Sequence, residues 1–419
     1  MAVIKTDVIV LGAGIAGVCA ALQLQARGRN VVIVDRHGAA GEETSFGNAG
    51  LIEAASIFPL GFPRGLKALM RYAGNRAPEA QYHFGALASL TPWLLAYWRR
   101  STPAAIAGSA QALAPLVTRA LEEHEALMRD AGATALLSKR GWIKLYRSPE
   151  SFAKARSDAR RLDAWEIPYD LLDPAGISAR EPMLDVAAIE GAIHYTTPAS
   201  VADPGALVKA YAALFEKRGG RILSGDARTL EQSSAQWQAL TAQGTVSAGQ
   251  ALVALGPWSA DLFGPLGYRI PLAVKRGYHM HYGMHDGAVA PSRPLLDADG
   301  GYVLAPLRRG LRLTTGAEFA ARDAAATPVQ IDRTEPFARA LLPGLGARLD
   351  AKPWIGARPC LPDMLPVIGP ASRHAGLWFD FGHQHLGFTL GPVTGKLVAQ
   401  MMTGEAAFTD VAPYSANRF

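Results

Sequence analysis

A glycine pattern near the start constrains this chain more than any other feature. Gly12-Ala13-Gly14-Ile15-Ala16-Gly17 stands between the apolar run Val8 to Leu11 and an Ala- and Leu-rich stretch from Ile15 to Gln25. A short apolar run ending in glycine reads as a buried parallel strand, and the stretch after it as a helix. Gly28 ends that helix, Val31-Val32-Ile33-Val34-Asp35 is the next buried strand, and the chain therefore opens with a βαβ unit. In that setting the first glycine permits a tight turn, the second lets backbone approach a pyrophosphate, and the third lets helix and strand pack closely. Asp35 follows at the spacing of the acid that accepts a ribose hydroxyl. The pattern predicts a dinucleotide site on Gly12, Ala13, Gly14, Ile15, Ala16, Gly17 and Asp35, with Arg36 and His37 beside it. It does not choose between nicotinamide and flavin.

Composition narrows the remaining classes. With 419 residues, 49% hydrophobic and 19% charged, the chain can bury a sizeable core, which excludes global disorder. The 43 Gly and 28 Pro follow no period, which excludes collagen-like and coiled-coil architectures. A net charge of +6 is diffuse; it suits anionic substrates or a membrane surface and does not argue for nucleic acid. Cys19 and Cys360 lie too far apart to suggest a disulfide framework or a zinc pattern, so a reducing, cytoplasmic compartment is expected. The apolar N-terminus is interrupted by Asp7 and by the three glycines, unlike a secretory signal. No apolar stretch reaches the roughly 20 residues that span a bilayer.

Further along, residues 59–185 read as helical stretches punctuated by proline. Ala251 to Leu255 is a later apolar strand before Gly256-Pro257-Trp258, and Leu377 to Phe381 is another, running into a Gly-rich loop. Pro392 to Met402 reads as a helix with Pro392 at its first position. The expected fold class is α/β: a Rossmann-like domain assembled from residues 1–58, 186–266 and 355–419. Residues 59–185 and 267–354 are expected to form a second, α+β domain with a mixed antiparallel sheet and helices.

Three segments carry chemistry beyond the first motif. The small-residue loop Thr44-Ser45-Phe46-Gly47-Asn48-Ala49-Gly50 suits contacts to a pyrophosphate or a bound ring. Arg358, held between Gly356-Ala357 and Pro359, presents a planar fork that matches a carboxylate; a structural pair with Asp363 explains it equally well. Gly382-His383-Gln384-His385-Leu386-Gly387-Phe388-Thr389 ends at a helix start, a local positive pole suited to an anionic ring oxygen. For His383 and His385 the sequence supports proximity only. His279, His281 and His285 lack a completing acid or cysteine, so they read as ordinary strand histidines and no metal is expected. Phe84 to Arg100, rich in Leu and Trp and ending in two arginines, reads either as a buried helix or as a seat on a membrane interface.

Together and in order, the dinucleotide motif, the Thr44–Gly50 loop, Lys275-Arg276-Gly277-Tyr278, Gly356-Ala357-Arg358-Pro359 with Asp363, and the Gly382–Gly391 loop resemble the FAD-dependent D-amino-acid oxidase superfamily. Within it the chain looks most like bacterial D-amino-acid dehydrogenases, over nearly its whole length. The resemblance implies FAD contacts at Gly12, Gly14, Gly17, Asp35, Arg36, Ser45, Asn48, Ala49 and Gly50, with Thr44 and Leu51 alongside. Later contacts fall on Ala227, Ala254, Gly256 and Trp258, and the flavin end falls on Gly382, Leu386, Gly387, Phe388 and Thr389. FAD is expected to be non-covalent, because Cys360 does not occupy the position that tethers flavin in some relatives.

Arg358 falls on the family's substrate-carboxylate arginine, and Tyr278 on a strand bordering the substrate pocket, where its hydroxyl would support carboxylate binding. The implied reaction is oxidative deamination of a D-amino acid by hydride transfer from Cα to flavin N5, giving a 2-oxo acid and ammonia. Electrons would pass to a quinone or respiratory chain, with peripheral contact on the inner face of the cytoplasmic membrane. Two related readings stay open: a dehydrogenase of a cyclic D-imino acid of the proline or hydroxyproline type, and a glycine or sarcosine oxidase. A non-catalytic NAD-binding protein would account for the first motif alone.

Overall fold

The computed structural model describes residues 3–419, apart from the side chains of Lys67 and Ala68. Val3–Leu11 pairs in parallel with Val31–Asp35 on one edge and with Gly244–Val253 on the other. Arg221–Ser224 continues the parallel arrangement beyond Val31–Asp35. Gly244–Val253 divides its outer edge: Gly244 to Ala248 pairs antiparallel with Gln236–Thr241, while Ala251 to Val253 pairs parallel with Leu377–Phe381. The apolar strands legible in sequence are thus neighbours in one eight-stranded sheet. Val8 to Leu11 are at most 2% exposed, as expected for parallel strands covered on both faces.

The helices Ile15–Gln25 and Gly387–Thr403 pack on this sheet and on each other. Their approach is backbone-close, since a Cβ at Gly395 would lie 2.7 Å from the Ala20 nitrogen. The second helix begins at Gly387, not at Pro392 as the sequence suggested, and Pro392 sits inside it. A proline there leaves the carbonyl four residues earlier, that of Phe388, without its helical donor. His124 supplies the replacement, its Nε2 lying 2.9 Å from the Phe388 oxygen, and the Tyr211 hydroxyl lies 3.1 Å from its Nδ1.

A second sheet of eleven strands centres on the long strand Ala273–Met284. Trp354–Cys360 and Leu345–Arg348 pair along one side of it, Gly310–Thr315 and Ala317–Phe319 along the other. Two segments expected with the first sheet pair in the second. Gly191–Tyr195 pairs with Trp142–Tyr146 in the second sheet, and Trp354–Cys360, which carries Arg358, belongs there too. Residues 59–185 also contribute strands to this sheet, including Tyr169–Leu172. These strands pair with partners distant in sequence, so no local pattern announces which sheet receives them.

His124 is buried, and burial pushes its pKa down to about 4, against the opposing hydrogen bonds to the Phe388 and Thr389 carbonyls. An unfolded imidazole titrates near 6.5, so the unfolded chain takes the proton first. The stability carried by the neutral ring is therefore whole above pH 6.5 and is lost as pH falls toward 4. Urea unfolding at about pH 7.5 and pH 5 should show a smaller acid-induced loss in His124→Gln than in the parent, by about 2 kcal/mol.

Candidate active site

One cavity of about 1750 Å³ runs from the first βαβ turn to the face of the second sheet. At the first end, Gly12 adopts a φ of 102°, and a Cβ there would meet the Ala254 oxygen at 2.7 Å. Gly12, Ala13, Gly14, Ile15 and Ala16 line the cavity. Gly17 stands behind them, its backbone against Gly12, where a Cβ would lie 2.0 Å from the Gly12 oxygen. Ser45 Oγ accepts from the Ile15 N–H at 3.1 Å, at the start of the first helix. Asp35 is fixed at the wall by two backbone donors, Ala13 N at 2.9 Å and His37 N at 2.8 Å, and each oxygen keeps a lone pair for a ligand hydroxyl. The Arg36 guanidinium lies 4.0 Å over the Trp258 ring, with Ala227, Ala254 and Gly256 completing this end.

The loop after the second strand is pinned between the two sheets. Thr44 Oγ1 donates to the Ala357 carbonyl at 2.9 Å, Arg312 donates to the Phe46 oxygen at 3.0 Å and also to that of Asn48, and Trp354 packs directly on Gly47. Thr44, Ser45, Asn48, Ala49 and Leu51 line the cavity. Gly50 does not; its backbone, at φ 76°, turns behind the wall against Val201.

The C-terminal loop closes the middle of the cavity with His383, Gln384, His385, Gly387 and Phe388. Gly382, Leu386 and Thr389, expected as flavin contacts, stand one layer back. Gly382 makes the turn at φ 84°, Leu386 is 3% exposed in the core, and Thr389 Oγ1 accepts from Glu53 N at 3.0 Å while donating to the Leu51 carbonyl at 3.2 Å. His383 Nε2 lies 3.1 Å from both the Thr394 hydroxyl and the Asp380 carboxylate. Gln384 is held at φ 59° and buried, and its Oε1 has no hydrogen-bond partner. An orphaned acceptor in a cavity wall, a glycine-lined turn at one end and a second helix start in the middle fit an extended dinucleotide with a polar ring system.

The far wall is the strand pair Ala273–Met284 and Trp354–Cys360. Arg358 stands opposite Lys275 in register and reaches across Gly277, where a Cβ would lie 2.7 Å from both terminal guanidinium nitrogens. It donates to the carbonyls of Gly316 at 2.8 Å, Thr315 at 3.2 Å and Arg276 at 3.3 Å. Burial pushes its pKa down, with Cys360 opposing. Asp363 is not its partner, because that carboxylate binds Arg418 at 2.7 Å. The structural pairing that the sequence allowed is thereby excluded.

Tyr278 also lines the cavity, on the strand expected to border it, but its hydroxyl has other partners. Successive strand residues point to opposite faces, so Tyr278 leaves the sheet on the side away from Arg358. Its hydroxyl donates to Glu318 at 2.8 Å and accepts from Thr327 N at 2.8 Å, within a buried network that includes Arg276. It is not free to hold a substrate carboxylate. The strand histidines are likewise engaged: His279 stacks on Trp354 at 4.8 Å and its pKa is pushed down to about 3, chiefly by burial, while His281 lies between Asp350 and Arg312. Among the described residues no group of His, Cys, Asp and Glu could hold a metal ion.

Sequence reasoning assigned no role at this site to Lys275 or Tyr97, which both line the cavity. The available signal was the period of two in Lys275-Arg276-Gly277-Tyr278, which places Lys275 and Gly277, not Tyr278, on the face of Arg358.

The family described as FAD dependent oxidoreductase (DAO) matches residues 7–401. The chain belongs to this family. It is similar to the D-amino acid dehydrogenase of Cereibacter sphaeroides (strain ATCC 17029 / ATH 2.4.9), 31% identical over 98% of this chain and 95% of that protein. The D-amino-acid oxidase of Bradyrhizobium diazoefficiens is 28% identical over 98% of each chain. Glycine oxidase from Geobacillus kaustophilus has the same fold, with a TM-score of 0.75 at 22% identity over 99% of each chain. The protein is thus an FAD-dependent flavoenzyme of the oxidoreductase class.

Removing the Asp35 carboxylate should weaken FAD binding. Titrating apoprotein with FAD and following tryptophan quenching should give an Asp35→Ala dissociation constant about ten- to a hundredfold above the parent, the range of a lost charge-assisted hydrogen bond.

Proposed function

We propose that the protein oxidises D-amino acids to the corresponding imino acids, which water hydrolyses to 2-oxo acids and ammonia, and that it passes the electrons to an acceptor other than oxygen. The observation that carries this reading is Arg358: a half-buried guanidinium without a carboxylate partner among the described residues, lining the same cavity as the dinucleotide turn. The names of the similar dehydrogenase and oxidase support the D configuration. FAD, when bound, supplies a two-electron acceptor for the hydride of the substrate Cα. The residues that would hold it are those of the Gly12–Ala16 turn, Asp35, the Thr44–Leu51 loop, the Trp258 end and the Gly387–Phe388 helix start.

The chain's own part is binding and orientation. Arg358 is fixed by three carbonyls, so its remaining N–H donors face the cavity in one pose and pin the substrate carboxylate bidentately. A carboxylate held at that point fixes where Cα lies, which is the positional contribution to rate. Gly277 is required for the pose because a side chain there would displace the guanidinium.

The exposed surface near the cavity mouth supports peripheral membrane contact and hence a membrane-borne acceptor. Leu66 and Met70 on the helix Leu66–Ala73 are 73% and 62% exposed, Phe84 is 71% exposed, and Leu95 and Trp98 on Leu87–Arg99 are also open to solvent. Arg64, Arg76, Arg99 and Arg100 are exposed among them, the combination that suits an interface with anionic headgroups. Trp93 and Tyr97 of the second helix face inward, so the helix serves both sides. No helix among the described residues is long and apolar enough to cross a membrane.

Arg358→Ala should lower kcat/KM for D-amino acids by about two to four orders of magnitude while FAD content stays intact. Near-parental kinetics would overturn the assignment. Cell membranes washed at low salt should retain the protein and release it at about 1 M salt; complete recovery in the low-salt supernatant would remove the membrane contact.

A further inference from the structure

Lys275 and Arg358 stand directly opposite each other on antiparallel strands, so their side chains leave the same face of the sheet, toward the cavity that both line. Like charges opposed across a strand pair destabilise it unless something intervenes. Among the described residues neither has a carboxylate partner. Arg358 spends its contacts on backbone carbonyls. The Lys275 ammonium makes no hydrogen bond or ion pair among the described residues and lies against aromatic faces instead, 4.1 Å from the Tyr97 ring centre, 5.3 Å from that of Trp93 and 5.6 Å from that of Phe319. Ring faces attract a cation but accept none of its three N–H donors in ordinary hydrogen bonds.

Glu318, the acid held by the neighbouring strand residue, binds Arg276 and Tyr278 on the opposite face of the strand. Lys275 is 9% exposed, and its burial together with the charge of Arg358 depresses its pKa, with Cys360 opposing. A buried ammonium with unmet donors beside a half-buried guanidinium costs free energy that a bound anion would recover.

We propose that Lys275 is the second arm of a clamp that closes on the substrate carboxylate together with Arg358, one anion bridging two cations. This rests on the reading above that Arg358 receives that carboxylate. The aromatic residues at 93, 97 and 319 hold the lysine arm at the cavity wall, and the bound anion cancels the repulsion between the arms.

The test replaces Lys275 by Met, which is unbranched, apolar and suited to the aromatic surroundings, and by Arg, which restores the charge. Propionate, which carries a carboxylate and no amine, is titrated into the holoenzyme by calorimetry and by perturbation of the flavin absorption. Lys275→Met should weaken propionate binding about ten- to a hundredfold, with partial recovery in Lys275→Arg. KM for D-alanine and for D-glutamate should rise by that same factor, while the maximal rate of anaerobic flavin bleaching stays within about threefold. Without carboxylate, Lys275→Met should melt at the parental temperature or above it, because the repulsion has been removed; a purely structural lysine would give a lower melting temperature.

Unchanged propionate affinity overturns the clamp. A KM rise confined to D-glutamate would assign Lys275 to a side-chain acid instead, and a fallen maximal rate with a displaced pH profile would assign it to proton transfer; either result overturns the proposal. Should the parent oxidise no amino acid, the functional reading fails, and the propionate titration still decides the clamp.

Discussion

Close backbone contact that admits no side chain is the constraint on which the rest of this structure depends. Gly17 lies against Gly12, which folds the first turn tightly enough to aim the start of the helix Ile15–Gln25 at the cavity. Gly395 lies against Ala20, which brings the C-terminal helix onto that first helix and carries the His383–Phe388 loop to the same cavity. Trp354 on Gly47 and Arg358 over Gly277 repeat the device at the join of the two sheets. Two sheets built from interleaved segments can share one cavity only if their connecting loops lie this close.

The charge distribution follows from that geometry. On the face of Ala273–Met284 opposite Arg358, Arg276, Glu318 and Tyr278 satisfy one another in a buried network, with Thr327 and His83 at its edge. On the cavity face, Lys275 and Arg358 contact carbonyls and rings and, among the described residues, pair with no acid. Buried charges are ordinarily paired, and the contrast between the two faces of one strand marks the second as prepared for an anion from outside. His124 shows a buried polar group of the other kind, neutral and fully employed, repairing the helix that Pro392 interrupts.

The dinucleotide half of the site was legible in the sequence because its determinants are local. The strand, the glycine turn, the helix and Asp35 lie within one short stretch, and each makes its contribution to the cavity inside that stretch. The substrate half was legible only in part. Arg358 stands out between glycine and proline, but its competing partner Asp363 could be removed only by finding Arg418 on that carboxylate. The face taken by the Tyr278 side chain was not legible without the strand register, since one residue along a strand exchanges one face for the other. The helix at Pro392 was begun five residues late because a proline reads as a start, and the histidine that repairs its interior lies more than two hundred residues away.

By itself the sequence determined a dinucleotide turn and the alternation of buried strands and helices, because these rest on short-range spacing; flavin and the family entered through the resemblance carried by five motifs in order. Tertiary structure alone decided which sheet received Gly191–Tyr195 and Trp354–Cys360, which faces carry Arg358 and Tyr278, and that Lys275 meets Arg358 across a strand pair inside an aromatic box. Those outcomes depend on pairings between segments separated by scores of residues. Hydrogen-bond register between strands, not the residues of either strand alone, sets them.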